Sequence, residues 1–305
     1  MKRVLVLYSF RSNKTPYTDL LFGRLKTRGK VHGLDMHRGS LKDLRISIYN
    51  NKLHIIDSMT GFPIDDYDVV YFELWYKSQQ QALVAANYLA QKGVPFMSHE
   101  LKTLTPMTKV GELGLLADRS VPLPNTFISS AREIEKVFRQ QPPLDYPFIL
   151  KAADACGGKN NHLVNNYKNL KDILRENKDV QYVAQEFIPN DCDYRCLVLG
   201  GEIKLVLKRT RQRAANTHLN NTSAGAKGEI IPVEALDKKS IDAVINAAEV
   251  LGRAQFSGVD LIIDKNTGSP YILEVNQTPQ IEIGAEVDKK MDALLNYIKE
   301  MGSEK

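Results

Sequence analysis

The chain has 305 residues, which corresponds to about two domains of ordinary size. Hydrophobic residues make up 43% of the chain and charged residues 25%, values that exclude collagen-like, disordered and coiled-coil proteins. The 41 Lys and Arg residues exceed the 36 Asp and Glu residues by five. This excess suits a phosphate ligand and is too small for a dedicated nucleic-acid-binding protein.

Cysteine content and hydropathy bear on the compartment. The 3 cysteines are an odd number without paired spacing, which favours a reducing compartment over a disulfide framework. No apolar stretch approaches the roughly 18 residues of a membrane span. We therefore expect a soluble, cytoplasmic protein without a membrane partner.

The first hundred residues alternate strand and helix patterns. An apolar run over residues 4–8 predicts a buried strand, and Thr15-Pro16 predicts the start of a helix that ends near Gly29. A second buried strand is predicted over residues 67–75, a helix over 79–91 and the start of a further strand at 94–96. This alternation indicates an open α/β layer.

A different rhythm follows in the middle of the chain. Thr105 and Pro106 have the character of a helix cap and a first helical residue, and the helix is predicted to end near Arg119. The pattern beyond it indicates an α+β unit. Its strands are predicted over residues 125–128, 148–151, 162–165 and 182–187, and its helices over 131–139 and 170–177.

The last part of the chain contains two predicted hairpins. Gly200-Gly201 is a two-residue turn that joins strands over 195–199 and 202–208. The polar stretch over 210–227 lacks a hydrophobic period, and a loop of that length is functional or disordered. The other predicted elements are a helix over 239–253, a hairpin over 259–275 and a C-terminal helix over 287–301.

The second hairpin carries two acids that strand pairing brings together. If its strands pair symmetrically about Thr267, Asp260 faces Glu274, and Asn276 lies on the same face. Like charges opposite each other on a buried sheet need neutralisation. Two carboxylates and an amide oxygen suit Mg²⁺ that also binds nucleotide phosphates. A pair of solvated acids at the strand ends is the alternative.

Two lysines and a glycine-rich turn are candidates for phosphate binding. Lys151 ends a strand and precedes a turn with Gly157 and Gly158, where backbone N–H groups can approach phosphate oxygens. The turn differs from a P-loop, and an exposed hairpin turn is the alternative. Lys109 lies early in its helix, and a surface lysine paired with Glu112 is the alternative there.

A strand end and a basic cluster are the remaining candidates. The segment Gln185-Glu186-Phe187-Ile188 closes a strand and can present its backbone to a purine edge, while Asp193 can bind ribose hydroxyls. An exposed strand end and a loop acid are the alternatives. The basic cluster at residues 208–213 suits either RNA or a triphosphate, and no aromatic residue is interleaved with it.

The order of these motifs resembles the ATP-grasp superfamily, and within it the RimK-type branch of ATP-dependent carboxylate–amine ligases, which includes ribosomal-protein glutamate ligases and lysine-biosynthesis ligases. The resemblance rests on the two lysines, QEFI with an acid seven residues on, DYRCLVLGGEI, and VDLIID followed by YILEVNQTP. It covers roughly residues 100–300, and the earlier residues resemble the family in architecture only. The implied fold is a Rossmann-like pre-ATP-grasp layer over residues 1–100 and an ATP-grasp fold of two α+β subdomains over 101–188 and 189–305.

The resemblance also implies roles for the candidates. Lys109 and Lys151 would contact ATP phosphates together with the glycine-rich turn. The adenine would lie against the segment 185–188 and the ribose against Asp193. The metal ligands for Mg²⁺, or for Mn²⁺ in its place, would be Asp260, Glu274 and Asn276. Residues at the reacting phosphate or acyl phosphate would be Arg195, Arg209 and Asn221.

Two departures from the family pattern concern the acceptor side. Ala224 stands where many similar proteins have Arg, and Gln280 stands where they have the Gly of A-S-P-G. The substrates can therefore differ from the usual ones of the family.

The implied reaction transfers the γ-phosphoryl group of ATP to a carboxylate, after which an amine attacks the acyl phosphate and forms an amide or peptide bond. The expected partners are small-molecule or peptide carboxylates and amines, an amino acid such as glutamate among them, and no nucleic acid. A small-molecule kinase of the same fold and a non-catalytic nucleotide- or RNA-binding module are the alternatives. Self-association into a homo-oligomer is a further expectation, because similar proteins commonly form one.

Overall fold

The structure is a computed structural model that describes residues 1–9, 16–49, 52–102, 108–153, 160–176, 180–210 and 227–301. Its helices are α1 (Pro16–Val31), α2 (Gln79–Lys92), α3 (Lys109–Asp118), α4 (Ala131–Gln140), α5 (Tyr167–Glu176), α6 (Lys238–Val250) and α7 (Val287–Glu300). Its strands are β1 (Lys2–Tyr8), β2 (Leu34–Ser40), β3 (Leu44–Tyr49), β4 (Lys52–Asp57), β5 (Val69–Glu73), β6 (Thr126–Ser130), β7 (Phe148–Ala152), β8 (Asn161–Val164), β9 (Gln181–Glu186), β10 (Cys192–Leu199), β11 (Glu202–Thr210), β12 (Lys227–Ile231), β13 (Phe256–Ile263) and β14 (Pro270–Asn276).

The N-terminal region contains the predicted α/β layer as a parallel sheet in the order β2-β1-β5. Strand β1 lies in the centre because its apolar run is buried on both faces, as expected of parallel strands. The hairpin β3-β4 forms a separate two-stranded sheet. The sequence pattern did not predict β2, because Asp35, His37 and Arg38 interrupt its apolar residues.

Two antiparallel sheets follow. The first has the order β6-β9-β7-β8 and packs against α4 and α5 around a core of its own. The second has the order β12-β11-β10-β13-β14. The turn Gly200-Gly201 joins β10 to β11 as predicted, and both glycines have positive φ angles, 63° and 82°. Such a turn requires these φ angles, which glycine adopts without a steric penalty.

The N-terminal sheet and the five-stranded sheet share one hydrophobic core. That core combines Val4 and Val6 of β1 with Leu197 of β10, Leu207 of β11 and Leu294 of α7. The opposite face of the N-terminal sheet packs on α2, and the opposite face of the five-stranded sheet packs on α6. The carboxyl end of β1 also contacts the segment that joins β14 to α7. There the hydroxyl of Tyr8 donates a hydrogen bond to Glu282. The division of the chain into domains at residues 100 and 188 remains a prediction.

Several predicted boundaries differ from the structure by a few residues, and two of the differences have a clear physical reason. Helix α3 begins at Lys109, three residues after the predicted start, because the Thr108 side chain accepts a hydrogen bond from the Gly111 amide and caps the helix there. The predicted strand at 94–96 is a single parallel bridge between Val70 and Phe96. Proline has no N–H to donate to a ladder, which limits pairing at Pro95. No helix within the described ranges is long and apolar enough to cross a membrane.

Candidate active site

A cleft lies between α3, the four-stranded sheet and β14. Four candidate residues from separate parts of the chain line it, namely Lys109, Lys151, Gln185 and Glu274. Leu113, Leu116 and Leu273 supply apolar walls. A mostly apolar cleft with a few convergent charged groups is typical of a small-molecule site.

Lys151 is held in the cleft by the neighbouring strand. Its Nζ donates to Gln185 Oε1 at 2.8 Å, and Gln185 Nε2 donates to Thr126 Oγ1 at 3.2 Å. Burial lowers the pKa of Lys151, and the carboxylates of Glu274 and Asp260 oppose this shift. The structure thus gives Gln185, predicted to bind the nucleotide, a contact with a phosphate-binding candidate. Lys109 lies on the facing helix with its Nζ 3.5 Å from the Ala152 carbonyl oxygen.

The strand end predicted to meet adenine closes β9. The carboxylate of Glu186 accepts hydrogen bonds from the Asn125 backbone and side chain, at 3.3 and 2.8 Å. Ile188 is buried, and its carbonyl accepts from Asn190 Nδ2 at 2.7 Å. Phe187 is half-buried. The predicted contacts of this segment with adenine remain a prediction.

The acids of the second hairpin face each other as predicted. The register of β13 and β14 pairs Asp260 with Glu274 and Gly258 with Asn276. Asp260 is 5% exposed, whereas the Glu274 side chain is 44% exposed and lines the cleft. The alternative of two solvated acids at strand ends therefore does not apply to Asp260.

Two arginines neutralise Asp260. Arg195 donates to both carboxylate oxygens, from Nε and Nη2 at 2.7 Å each, and Arg209 Nη2 lies 3.3 Å from Oδ1. Burial opposes ionisation, but the two guanidinium groups hold the pKa of Asp260 below its ordinary value. Arg195 Nη2 is also 4.0 Å from Glu274 Oε1. The network therefore runs from a buried acid to the accessible one.

Arg209 and Asp193 lie at the closed end of this network. Arg209 is 3% exposed, and its Nε donates to Asp193 Oδ1 at 2.5 Å. Burial raises the pKa of Asp193 to about 6, against the effect of Arg209. The predicted contact of Asp193 with ribose remains a prediction, and in the structure this carboxylate has Arg209 as its partner.

The donor set fits a magnesium ion that is shared with phosphate oxygens. Glu274 is accessible, and Asn276 donates from Nδ2 to the Gly258 carbonyl at 3.3 Å, which leaves its Oδ1 as an acceptor for a cation. Within the described ranges no group of three or more His, Cys, Asp or Glu side chains could hold a metal ion. Mg²⁺ commonly binds through one or two carboxylates plus substrate phosphates, so a larger acidic group is not required.

Arg253 was not predicted from the sequence. It is fully buried, and it donates from Nη1 to the Val275 carbonyl and from Nη2 to Glu112 Oε1, each at 2.6 Å. Both acceptor residues line the cleft. Arg253 thus ties the helix of Lys109 to the strand of Glu274. Glu112, the residue that the alternative assigns to Lys109 as a partner, forms an ion pair with Arg253.

A second acid pair lies at the carboxyl end of the N-terminal sheet and was also not predicted. Glu73 and Glu282 are 9% and 7% exposed, and they accept hydrogen bonds from Tyr71 and Tyr8 respectively. Burial and the proximity of Glu282 raise the pKa of Glu73 to about 8. Burial also raises the pKa of Glu282.

Several predictions lie outside the described residues. These are Gly157, Gly158, Asn221 and Ala224, together with the loop over 211–226. The described half of the basic cluster is not an open basic surface, because Arg209 is buried in ion pairs and Lys208 lies 3.6 Å from Glu229. Lys208 and Arg209 therefore do not support the alternative of RNA binding.

The cleft and its lysines suit a ligand that carries phosphate groups, bound between the four-stranded sheet and β14. The chain matches the model of the RimK-like ATP-grasp domain over residues 107–300. It is 28% identical over 227 residues to a probable alpha-L-glutamate ligase of Haemophilus influenzae (strain PittEE), with 72% of each chain covered. This chain belongs to the RimK-like ATP-grasp family.

Solved structures agree with this fold. D-alanine–D-alanine ligase from Bacillus anthracis complexed with ATP matches with a TM-score of 0.65 and 15% identity, over 99% of this chain and 97% of that one. The ATP-grasp ligase PsnB, complexed with a phosphomimetic variant of its minimal precursor, Mg and ADP, matches with a TM-score of 0.66 and 16% identity, over 96% and 98%. The predicted ATP-grasp fold, the family and the class of enzyme, an ATP-dependent carboxylate–amine ligase, are confirmed, and the Rossmann-like character of the N-terminal layer remains a prediction.

Proposed function

We propose that the protein joins a carboxylate to an amine in two steps. A carboxylate oxygen of the substrate attacks the γ-phosphorus of ATP, the bond to the β–γ bridging oxygen breaks, and ADP leaves. The amine nitrogen then attacks the acyl phosphate, the C–O bond to phosphate breaks, and phosphate and a proton leave as the amide forms. The observation that carries the proposal is the position of Glu274, which lines the lysine cleft and also lies 4.0 Å from Arg195.

Lys109 and Lys151 would bind the phosphates of ATP. Both line the cleft, and the hydrogen bond with Gln185 fixes the Lys151 ammonium before ATP arrives. Phosphoryl transfer depends mainly on positioning and on neutralising charge, and fixed cations in a partly desolvated site do both. The glycine-rich turn with Gly157 and Gly158 would add backbone N–H donors.

Glu274 and Asn276 would hold Mg²⁺ together with phosphate oxygens, with Asp260 as a third ligand candidate that Arg195 keeps ionised. A bound Mg²⁺ would neutralise charge on the transferred phosphoryl group. Mn²⁺ also accepts carboxylate and amide oxygens and is the alternative ion.

Arg195 and Asn221 would bind the acyl phosphate, and Arg209 would support them through its ion pair with Asp260. Arg195 has a 13% exposed side chain, so it can reach a substrate, whereas Arg209 is engaged by Asp193 and Asp260. L-Glutamate is the first amine to test, because the relative from Haemophilus influenzae is a probable glutamate ligase. The acid would be a small molecule or a peptide.

The test is ADP release from Mg-ATP, screened over pairs of amino acids and dipeptides, with mass spectrometry of the products. We expect ADP release that requires both an acid and an amine, and a product whose mass equals their sum minus water. A phosphorylated product that forms without an amine would support the kinase alternative. Absence of ADP release with every pair, together with salt-sensitive RNA binding, would support the binding module.

A further inference from the structure

Gln280 has a backbone conformation that disfavours a side chain. It lies in the segment between β14 and α7, and its φ angle is +58°. Glycine adopts this left-handed region at no steric cost, whereas a residue with a Cβ atom pays one. Ser120 has a similar φ angle of +57°, so the contacts of its side chain are what distinguish Gln280.

The side chain of Gln280 contacts the candidate catalytic arginine. Arg195 Nη1 donates to Gln280 Oε1 at 3.3 Å. Arginine has only donors, so the amide oxygen must face Arg195 and the amide NH₂ must face away. Gln280 is exposed, and within the described ranges its Nε2 has no hydrogen-bond partner. The NH₂ group is thus positioned to donate to a molecule that is not part of the chain.

The backbone of Gln280 is held on both sides. Lys290, which is 5% exposed, donates from Nζ to the carbonyl oxygens of Gln280 and Ile283, at 2.8 and 2.5 Å. The preceding Pro279 packs on Gly258, where an added Cβ would be 2.7 Å from the proline Cβ. Because Gly258 lies two residues before Asp260 on β13, this contact fixes the segment against the acid pair.

Gln280 and Arg195 lie beside the acid pair. Glu274 lines the lysine cleft with Lys109 and Lys151, and Arg195 and Gln280 are not among the lining residues of that cleft. Arg195 pairs with Asp260 at 2.7 Å, and its Nη2 is 4.0 Å from Glu274 Oε1. The Arg195–Gln280 pair therefore adjoins Glu274 without lining the lysine cleft, a position from which it can contact an acceptor bound next to the phosphoryl donor.

We propose that Gln280 determines the specificity for the acid substrate, by donating its amide N–H groups to an oxygen of the substrate carboxylate while Arg195 fixes its Oε1. This inference rests on the proposed function. An amide NH₂ binds oxygen acceptors and repels the N–H groups of an ammonium, so it selects the acid over the amine. Glycine at this position supplies no such donor, so proteins that have it lack this contact.

The experiment compares Gln280→Gly, Gln280→Asn and Ser120→Gly with the wild-type protein. Ser120 is the matched control, because it is exposed, has a φ angle of +57° and lies at the end of α3. The probes are the acid–amine pair that gives the fastest ADP release and four analogues of its acid that differ in length and charge. The readouts are KM for the acid, KM for ATP, the ratio of kcat/KM among the five acids, and Tm.

For Gln280→Gly we expect KM for the acid to rise about tenfold or more, because a hydrogen bond to a charged group is lost. We expect KM for ATP to stay within about twofold, discrimination among the acids to narrow, and Tm not to fall, because glycine relieves the left-handed conformation. Gln280→Asn, which keeps the amide and tolerates this φ angle, should retain part of the discrimination. Ser120→Gly should leave every kinetic constant unchanged.

Unchanged KM and discrimination in an active Gln280→Gly variant would overturn the inference and leave the proposed function intact. An equal rise in KM for ATP and for the acid would also overturn it, since that result indicates a structural role. A wild-type protein that releases no ADP with any pair would contradict both the proposed function and the inference.

Discussion

Two pairs of neighbouring acids in this protein have different partners: arginines bind one pair, and tyrosine hydroxyls bind the other. Asp260 and Glu274 pair across β13 and β14, and Arg195 and Arg209 donate to Asp260. Glu73 and Glu282 lie between the N-terminal sheet and the segment before α7, and tyrosine hydroxyls donate to them. The first pair keeps its buried member ionised, while burial raises the pKa of Glu73 to about 8.

The difference shows that burial alone does not decide the charge of a carboxyl group. Both Asp260 and Glu73 lose most of their hydration, which favours the neutral form. A guanidinium group supplies a full positive charge that outweighs this loss, whereas a phenol supplies only a hydrogen bond. The arginine-bound pair is therefore suited to bind cations and to stay charged during phosphoryl transfer, and the tyrosine-bound pair is suited to hold a proton inside the shared core.

The largest expected effect comes from removing the accessible acid of the first pair. Glu274→Ala should lower the rate of Mg-ATP-dependent ADP release by about a thousandfold, or about 4 kcal/mol, because phosphate and metal binding lose a charged ligand. The Tm should stay close to the wild-type value, because the side chain is 44% exposed. Glu202→Ala, with a 72% exposed side chain near Lys204, is the control. Retained ADP release would remove Glu274 from the metal site.

The second-largest expected effect is a loss of stability when Arg195, the cation bound to the first pair, is removed. Arg195→Met should lower the free energy of unfolding by about 3 kcal/mol at pH 7, because Asp260 stays buried without its bidentate partner. The depressed pKa of Asp260 contributes stability above its unfolded pKa of about 3.9, and this is lost as the pH falls, so the difference from wild type should shrink below about pH 4.

Urea unfolding at pH 7 and pH 3.5 measures both values. Lys204→Met is the control, since its exposed pair with Glu202 should contribute little to stability. A loss as small as that of the control would show that Arg209 alone neutralises Asp260.

The contribution of the second acid pair to stability should change with pH in the opposite direction to that of the first pair. The pKa of Glu73 is raised, so the folded protein binds more protons than the unfolded chain between about pH 4.5 and pH 8, and stability should fall as the pH rises through this range. Glu73→Gln removes the titrating group, so it should be more stable than wild type at pH 8 by at least about 1 kcal/mol. Urea unfolding at pH 5 and pH 8 measures the difference, with exposed Glu234→Gln as the control. A variant that gains nothing at pH 8 would mean that Glu73 is ionised without penalty.

The smallest effect should come from the phenol partner of the second pair. Tyr8→Phe removes a 3.1 Å hydrogen bond to Glu282 and should lower the free energy of unfolding by about 1 kcal/mol. The pKa of Glu282 should rise further, because the Tyr8 hydroxyl favours the ionised form. Tyr297→Phe, which loses a bond to the amide Gln255, is the control that should change stability without changing its pH dependence. Identical pH profiles of the two variants would contradict this interpretation.

The sequence predicted local features well. The hairpin of Asp260 and Glu274 was predictable, because alternation and a central turn set the register within about 20 residues. The glycine turn at 200–201 was predictable for the same reason. The role of the two cleft lysines was predicted from the order of motifs along the chain. That order is a property of the family and does not follow from any local rule of secondary structure.

The long-range contacts of the cleft and of the second acid pair could not be predicted in this way. Arg253 joins Glu112, 141 residues away, and Tyr8 joins Glu282, 274 residues away. Such pairs depend on how separate elements pack, and periodicity describes only one element at a time. The start of α3 was predicted three residues too early because Thr105-Pro106 has the pattern of a cap and a first helical residue, and sequence does not reveal the hydrogen bond from Gly111 to Thr108 that sets the start.

The central claim is that the carboxylate of the acid substrate is activated as an acyl phosphate before the amine attacks. The most direct measurement uses the active acid–amine pair with ¹⁸O in the carboxylate of the acid and mass spectrometry of the released phosphate. The account predicts that one ¹⁸O atom is transferred to phosphate for each amide formed, because the attacking carboxylate oxygen leaves with the phosphoryl group. Amide formation with no ¹⁸O in the phosphate would contradict it.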